Sequence, residues 1–296
     1  MVVKLKESRR SFIKMIMAGS IIAVGSILSL NKLSILNKGD ASSENVDSTS
    51  QSIVPGDKFT YPNPNESNKA WGMVIDLNKC TGCNVSEDEE PACMEACRKM
   101  HNVPPDQVWI KIFHVKDNPF TEGYNFPRVC MQCENPPCRN ICPVTAALRR
   151  DEGDGLVLID HDRCIGCRLC IAACPYEARY FNWEDQIFSQ ENIDKYGWNP
   201  DTVKYDSPMF VTRHQRGTTD KCDFCGHMAY QGLKPACVSA CSEGSLYFGN
   251  LKENAVTNSL KETLDVKKVI SDRGGYRFKE EVGAKPRVYY IPKNKW

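Results

Sequence analysis

Sixteen cysteines constrain this 296-residue chain more than any other feature, because they fall into four groups of four with none left over. Cys80, Cys83, Cys93 and Cys97 are spaced C-x2-C-x9-C-x3-C, and Cys130, Cys133, Cys138 and Cys142 are spaced C-x2-C-x4-C-x3-C. Cys164, Cys167, Cys170 and Cys174 follow C-x2-C-x2-C-x3-C, and Cys222, Cys225, Cys237 and Cys241 follow C-x2-C-x11-C-x3-C. Only the middle gap varies. Small secreted scaffolds use cysteine to replace a core they cannot build. A chain of this length can bury its own core, so the cysteines require a chemical reason.

The third group, followed by Pro175, has the spacing of the bacterial ferredoxin run, and the second also ends in Cys142-Pro143. A cubane of iron and sulfide needs four thiolates converging from different directions. Cysteines on a tight loop supply three of them, with the small Gly82 and Gly166 easing the backbone. The fourth begins a helix, points away and serves a neighbouring cluster, as in two-cluster ferredoxins. Internal repetition agrees. Val74 to Cys83 aligns without a gap on Leu158 to Cys167, so an apolar strand runs into the ligand loop in both. Strand-like pieces follow three groups: Ala146-Ala147-Leu148, Arg179-Tyr180-Phe181 and Leu246-Tyr247-Phe248. Longer insertions, such as Asn182 to Thr219, join the units.

Other uses of cysteine fit less well. Structural zinc sites commonly separate two C-x2-C pairs by a longer loop, which only the fourth group approaches; zinc in place of one cluster stays open. A self-contained enzyme lacks its motifs: there is no GxSxG, HExxH, P-loop or dinucleotide fingerprint, and none of His101, His114, His161, His214 and His227 sits in a metal or nucleophile motif. No catalytic residue is assigned. His161 and His227 lie close to ligand cysteines and could tune a cluster or relay a proton; ordinary packing or exposure is the plainer reading. With a formal charge of +1 and no basic stripe, the chain gives no sign of binding nucleic acid.

Residues 1–39 differ in kind. Ser8-Arg9-Arg10-Ser11-Phe12-Ile13-Lys14 precedes an apolar run from Met15 to Leu30, which reads as an export segment resembling a twin-arginine signal, or a possible anchor. That route carries folded proteins, which suits clusters inserted before export and makes a disulfide scaffold unnecessary. With seven Lys or Arg against one Glu in 1–39, the remainder is mildly acidic. Residues 40–69, rich in Ser, Asn, Asp and Thr, read as a flexible linker.

From Trp71 to Pro292 the chain resembles the four-cluster iron–sulfur subunit of the molybdopterin (dimethyl-sulfoxide-reductase-like) oxidoreductases. The residues that carry this are Trp71 to Asp76, Cys133-Glu134-Asn135-Pro136-Pro137-Cys138, Arg163 to Arg168, Ala173 to Trp183 and Lys234 to Cys237. His101-Asn102-Val103-Pro104 and the exported location incline the resemblance to the polysulfide-reductase-type or sulfite-reduction-associated branch. The resemblance implies four [4Fe–4S] clusters. One is held by Cys80, Cys83, Cys93 and Cys241, and its partner by Cys222, Cys225, Cys237 and Cys97. The other two take Cys130, Cys133, Cys138 with Cys174, and Cys164, Cys167, Cys170 with Cys142. It also implies a catalytic or cytochrome partner and a polytopic quinone-interacting membrane partner. The chain departs from the family where its first group has Asn84 to Ala92, with Glu87-Asp88-Glu89-Glu90, in place of x2. A solvated acidic excursion that leaves the ligands in place, or a distorted or lost first cluster, would follow.

The expected fold is therefore α+β, with two interleaved ferredoxin-like modules over 70–251, long insertions, and a C-terminal extension over 252–296. The expected function is electron transfer in an exported, membrane-associated complex. A free-standing polyferredoxin and a zinc-stapled scaffold are the alternatives.

Overall fold

A computed structural model describes residues 69–85, 89–116, 118–120, 122–151, 153–201 and 214–294. The export segment over 1–39 and all but the last residue of the linker over 40–69 lie outside the described residues, as does part of the acidic excursion.

The first strand, β1 (Trp71–Asp76), is buried at all six positions. The apolar run from Trp71 to Ile75 suits a strand covered on both faces. Met73 and Ile75 enter the large core with Trp71 and Leu77. Val74 points the other way, toward Tyr247, Val256, Val266, Val269 and Ile291. Next come α1 (Ala92–His101) and the hairpin of β2 (Lys111–Val115) with β3 (Tyr124–Arg128). The short helix α2 (Pro137–Asn140) leads into a second hairpin, β4 (Ala147–Arg149) with β5 (Val157–Ile159). Another short helix, α3 (Leu169–Ala172), precedes β6 (Tyr180–Phe181). Within the insertion lies α4 (Gln190–Tyr196), started by the Ser189 hydroxyl accepting from the Asn192 amide. β7 (Thr219–Asp220) then pairs antiparallel with β6.

Two further short helices, α5 (Gly226–Ala229) and α6 (Ala236–Ser239), lead to β8 (Leu246–Asn250). Residues 252–296, expected as an extension, contribute β9 (Ala255–Thr257), β10 (Thr263–Asp265), α7 (Val266–Asp272) and β11 (Val288–Ile291). The largest sheet has the order β10-β9-β8-β1-β11. β1 is antiparallel to β8 and parallel to β11, with Met73 opposite Phe248 on one side and Val288 on the other. The last strand is thus part of the main sheet. Its Tyr290 is fully buried, stacks on Phe126 at 4.5 Å and donates its hydroxyl to the Pro127 carbonyl.

Among the described residues this is a mixed α+β fold: one five-stranded sheet, three two-stranded antiparallel sheets and mostly one-turn helices. Its repeated sequence is repeated in space. Asp76 ends β1 and accepts from the Asn78 amide at 3.0 Å; Asp160 follows β5 and accepts from the Asp162 amide at 3.1 Å. Each carboxylate forms an Asx-type turn that starts the cysteine loop.

Candidate metal centres

The shared ending of each group, C-x3-C, is one helical turn, so the two cysteines lie on one helix face. Cys93 and Cys97 both stand on α1. Cys138, Cys170 and Cys237 stand on α2, α3 and α6, each with the last cysteine of its group just past the helix end, so the fourth cysteine follows a helical turn rather than beginning a helix as expected. The opening C-x2-C is also built alike four times. The residue before the second cysteine is left-handed in each: Gly82 (φ 72°), Gln132 (44°), Gly166 (67°) and Phe224 (60°). Left-handed backbone is cheap for glycine and strained for a bulky residue. Gly166 has a second reason, since a Cβ there would lie 2.1 Å from the Gly217 carbonyl oxygen. Gln132 and Phe224 are held by tertiary contacts. The Gln132 side chain bridges the Cys222 carbonyl (2.9 Å) and the Val157 amide (2.6 Å), and Phe224 packs edge-on against Phe248.

Helix pairing brings the groups together: α1 packs against α6, and α2 against α3. The thiols consequently meet in four sets. Cys80, Cys83, Cys93 and Cys241 are mutual neighbours, as are Cys97, Cys222, Cys225 and Cys237. Cys130, Cys133, Cys138 and Cys174 line one cavity. Cys142, Cys164, Cys167 and Cys170 line another. In every set three thiols come from one group and the fourth from the partner group. The acidic excursion leaves its own set assembled: Glu90, which closes the acidic run, pairs with Arg98 on α1 at 2.5 Å.

Burial sets the acidity of these thiols. It pushes Cys80 up to about 11, with Glu243, Cys241 and Cys83 adding to the effect. Burial takes Cys93 and Cys222 to about 12, and it pushes Cys97, Cys133, Cys225 and Cys237 well above the ordinary thiol value. Neighbouring thiols oppose one another's ionisation throughout. Four thiolates can share such a space only around a cation, which reverses the local charge balance. The donor set is all sulfur, the choice of soft metals and iron–sulfur clusters, so the residues fit clusters. Backbone amides of Gly82 and Phe224 point at Cys80 and Cys222, the kind of hydrogen bond that tunes a bound cluster.

Four of the five histidines are buried, and His114 is exposed. His101 Nε2 lies 3.1 Å from Cys225 Sγ. His101, Asp223 and Cys225 present ligand atoms all within 4.8 Å of one another. Asp223 and His101 were missed as site residues, yet a signal existed: His101 continues the i, i+4 series of Cys93 and Cys97 on α1. His227 meets His101 edge-on at 5.5 Å and is lowered to about 4 by burial, with His101 adding to the effect. His161 and His214 grip the buried Asp220 carboxylate from two sides, at 2.5 and 2.6 Å. Burial would raise Asp220, but the two imidazoles outweigh it and hold the carboxyl well below its usual range. His161 is therefore packed into a polar network, and His227 against the His101 ring, beside the thiol sets.

Among known proteins, a family profile described as a 4Fe-4S dicluster domain matches residues 121–196, which span the second and third groups. A selenate reductase subunit of Mesobacillus selenatarsenatis is 36% identical, over 75% of this chain and 71% of that protein. The menaquinone reductase iron-sulfur cluster-binding subunit of Nitratidesulfovibrio vulgaris is 36% identical, over 76% of this chain and 90% of its own. An Hdr-like menaquinol oxidoreductase iron-sulfur subunit of Archaeoglobus fulgidus is 33% identical, over 75% and 83% respectively.

Proposed function

Because the chain belongs to the iron–sulfur subunits of the molybdopterin (dimethyl-sulfoxide-reductase-like) family of respiratory complexes, we propose that it relays electrons through four [4Fe–4S] clusters. It is an electron-transfer subunit of a larger oxidoreductase, without a catalytic site of its own. The observation that carries the four-cluster reading is the meeting of sixteen thiols in four sets, each completed by a cysteine from a partner group. Bound clusters supply reversible one-electron storage. The protein's part is to fix four thiolates per cluster, exclude water and tune potential through amides and charges. The two helix pairings support two ferredoxin-like modules, one built from groups two and three and the other from groups one and four.

The partners are a catalytic or cytochrome subunit at one end of the wire and a quinone-interacting membrane subunit at the other. The selenate reductase and menaquinone reductase relatives favour that setting. No helix among the described residues is long and apolar enough to cross a membrane. Membrane association would come through a partner or the export segment, with twin-arginine export to an extracytoplasmic site.

Iron, acid-labile sulfide and zinc per chain on anaerobically purified protein test this reading. About sixteen iron and sixteen sulfide are expected for four cubanes. Abundant zinc without sulfide would overturn it. The His101, Asp223 and Cys225 triad supports a second reading, a mononuclear metal at the fourth group; one zinc with about twelve iron would select it.

A further inference from the structure

Among the described residues three arginines are buried, and they are satisfied differently. Arg287 donates to three main-chain carbonyls, those of Gln132, Asp154 and Gly155. Arg150 faces the Asp154 carboxylate at 3.7 Å and lies against the Tyr230 ring. Arg179 has neither kind of partner. It is 4% exposed, and both terminal guanidinium nitrogens are buried without an oxygen or nitrogen acceptor. What surrounds it is sulfur: Cys138, Cys170 and Cys130 are its neighbours, and it lines the cavity formed by Cys130, Cys133, Cys138 and Cys174. Burying a guanidinium is costly unless an anion compensates. The anion that would compensate it in this part of the fold is the cysteine set with a cluster bound.

The other helix pair is surrounded by the opposite charge. Asp223 is 2% exposed and faces Cys97, Cys222 and Cys225, while Glu243 faces Cys80. Lys221, also buried, lies near both Cys133 and Cys222 and so favours neither pair.

We propose that Arg179 is the built-in counter-cation of the cluster held by Cys130, Cys133, Cys138 and Cys174, raising its reduction potential and setting the α2/α3 pair above the α1/α6 pair. This rests on the cluster reading above. Reduction adds one electron, delivered by the adjoining redox subunit, and breaks no bond. It adds one negative charge to an anionic centre, so a fixed buried cation favours the reduced state. Arg179 acts through the thiolates and is a positioning charge.

The test is a redox titration of the full chain, with dithionite as reductant, followed by electron paramagnetic resonance and paired with iron and sulfide counts. In Arg179→Gln, one resolved cluster should fall by at least tenfold in its reduction constant, about 59 mV for one electron, with iron retained. Arg179→Lys should keep most of the potential. Arg163→Gln, a control that removes a 63%-exposed side chain beside Cys164, should shift nothing. If Arg179→Gln loses iron while Arg179→Lys retains it, the charge is needed even to hold the cluster, which also supports the proposal. Full iron with unchanged potentials in Arg179→Gln would overturn it. Equal iron loss in both variants would overturn it too, leaving a packing role. Absence of iron and sulfide from the unaltered chain would instead strike the cluster reading itself.

Discussion

The α2/α3 pair of thiol sets and the α1/α6 pair follow one spacing rule, but they lie in different surroundings. In the α1/α6 pair five of eight cysteines are buried and none is exposed. In the α2/α3 pair three are buried, and Cys167 is the one exposed thiol of the sixteen. Ile165 and Leu169 stand exposed on either side of it, at 63% and 45%. The deeper pair is flanked by Asp223 and Glu243, the shallower by Arg179. Ligand spacing fixes what can bind, whereas burial and neighbouring charge fix how readily each centre takes an electron.

The largest effect should come from cutting the exchange of ligands between groups. Cys97→Ser should disturb the centre of the fourth group and Cys241→Ser that of the first, each costing about one cluster of iron. Iron counts with electron paramagnetic resonance would check this, and loss of the variant's own group signal instead would break the crossed arrangement. Next in size is the loop backbone. Gly82→Ala and Gly166→Ala each place a side chain in left-handed backbone, at about 1–2 kcal/mol. At Gly82 the new Cβ meets the Asn125 amide nitrogen at 3.0 Å, at the end of a side chain that can give way; at Gly166 it meets main chain at 2.1 Å. Anaerobic melting should therefore show the larger fall in Gly166→Ala. Equal losses would mean that the two loops are equally tolerant.

The smallest effect is acid sensitivity of the deeper pair. His227 is lowered from 6.5 to about 4 by burial and His101. Between those values the unfolded chain binds a proton that the folded chain refuses, so stability falls as pH falls through that window. Melting temperatures between pH 7 and pH 4 should decline more gently in His227→Gln. An unchanged slope would place the acid response elsewhere.

Much of the site was legible before any coordinate. The sixteen cysteines, the C-x2-C and C-x3-C rules and the strand-into-loop repeat are local features, read directly from spacing. His101 could have been added, because it continues the face of Cys93 and Cys97. Asp223 and Arg179 could not. Asp223 sits inside a C-x2-C gap like any loop residue, and Arg179 precedes a two-residue strand with no local mark of its surroundings. Likewise nothing in residues 252–296 announces that Val288–Ile291 lies beside the first strand of the fold.

The ligand chemistry is local and can be read along the chain, because which atoms ligate, and how far apart on a helix turn or tight loop, depends on neighbours a few residues away. Which loops face each other, which thiols are deep and which charges lie beside them emerge on folding alone. Those follow from α1 packing on α6 and α2 on α3, and from β11 closing the sheet. Such contacts join residues far apart in the chain, and in the low-dielectric interior they set the field at each centre.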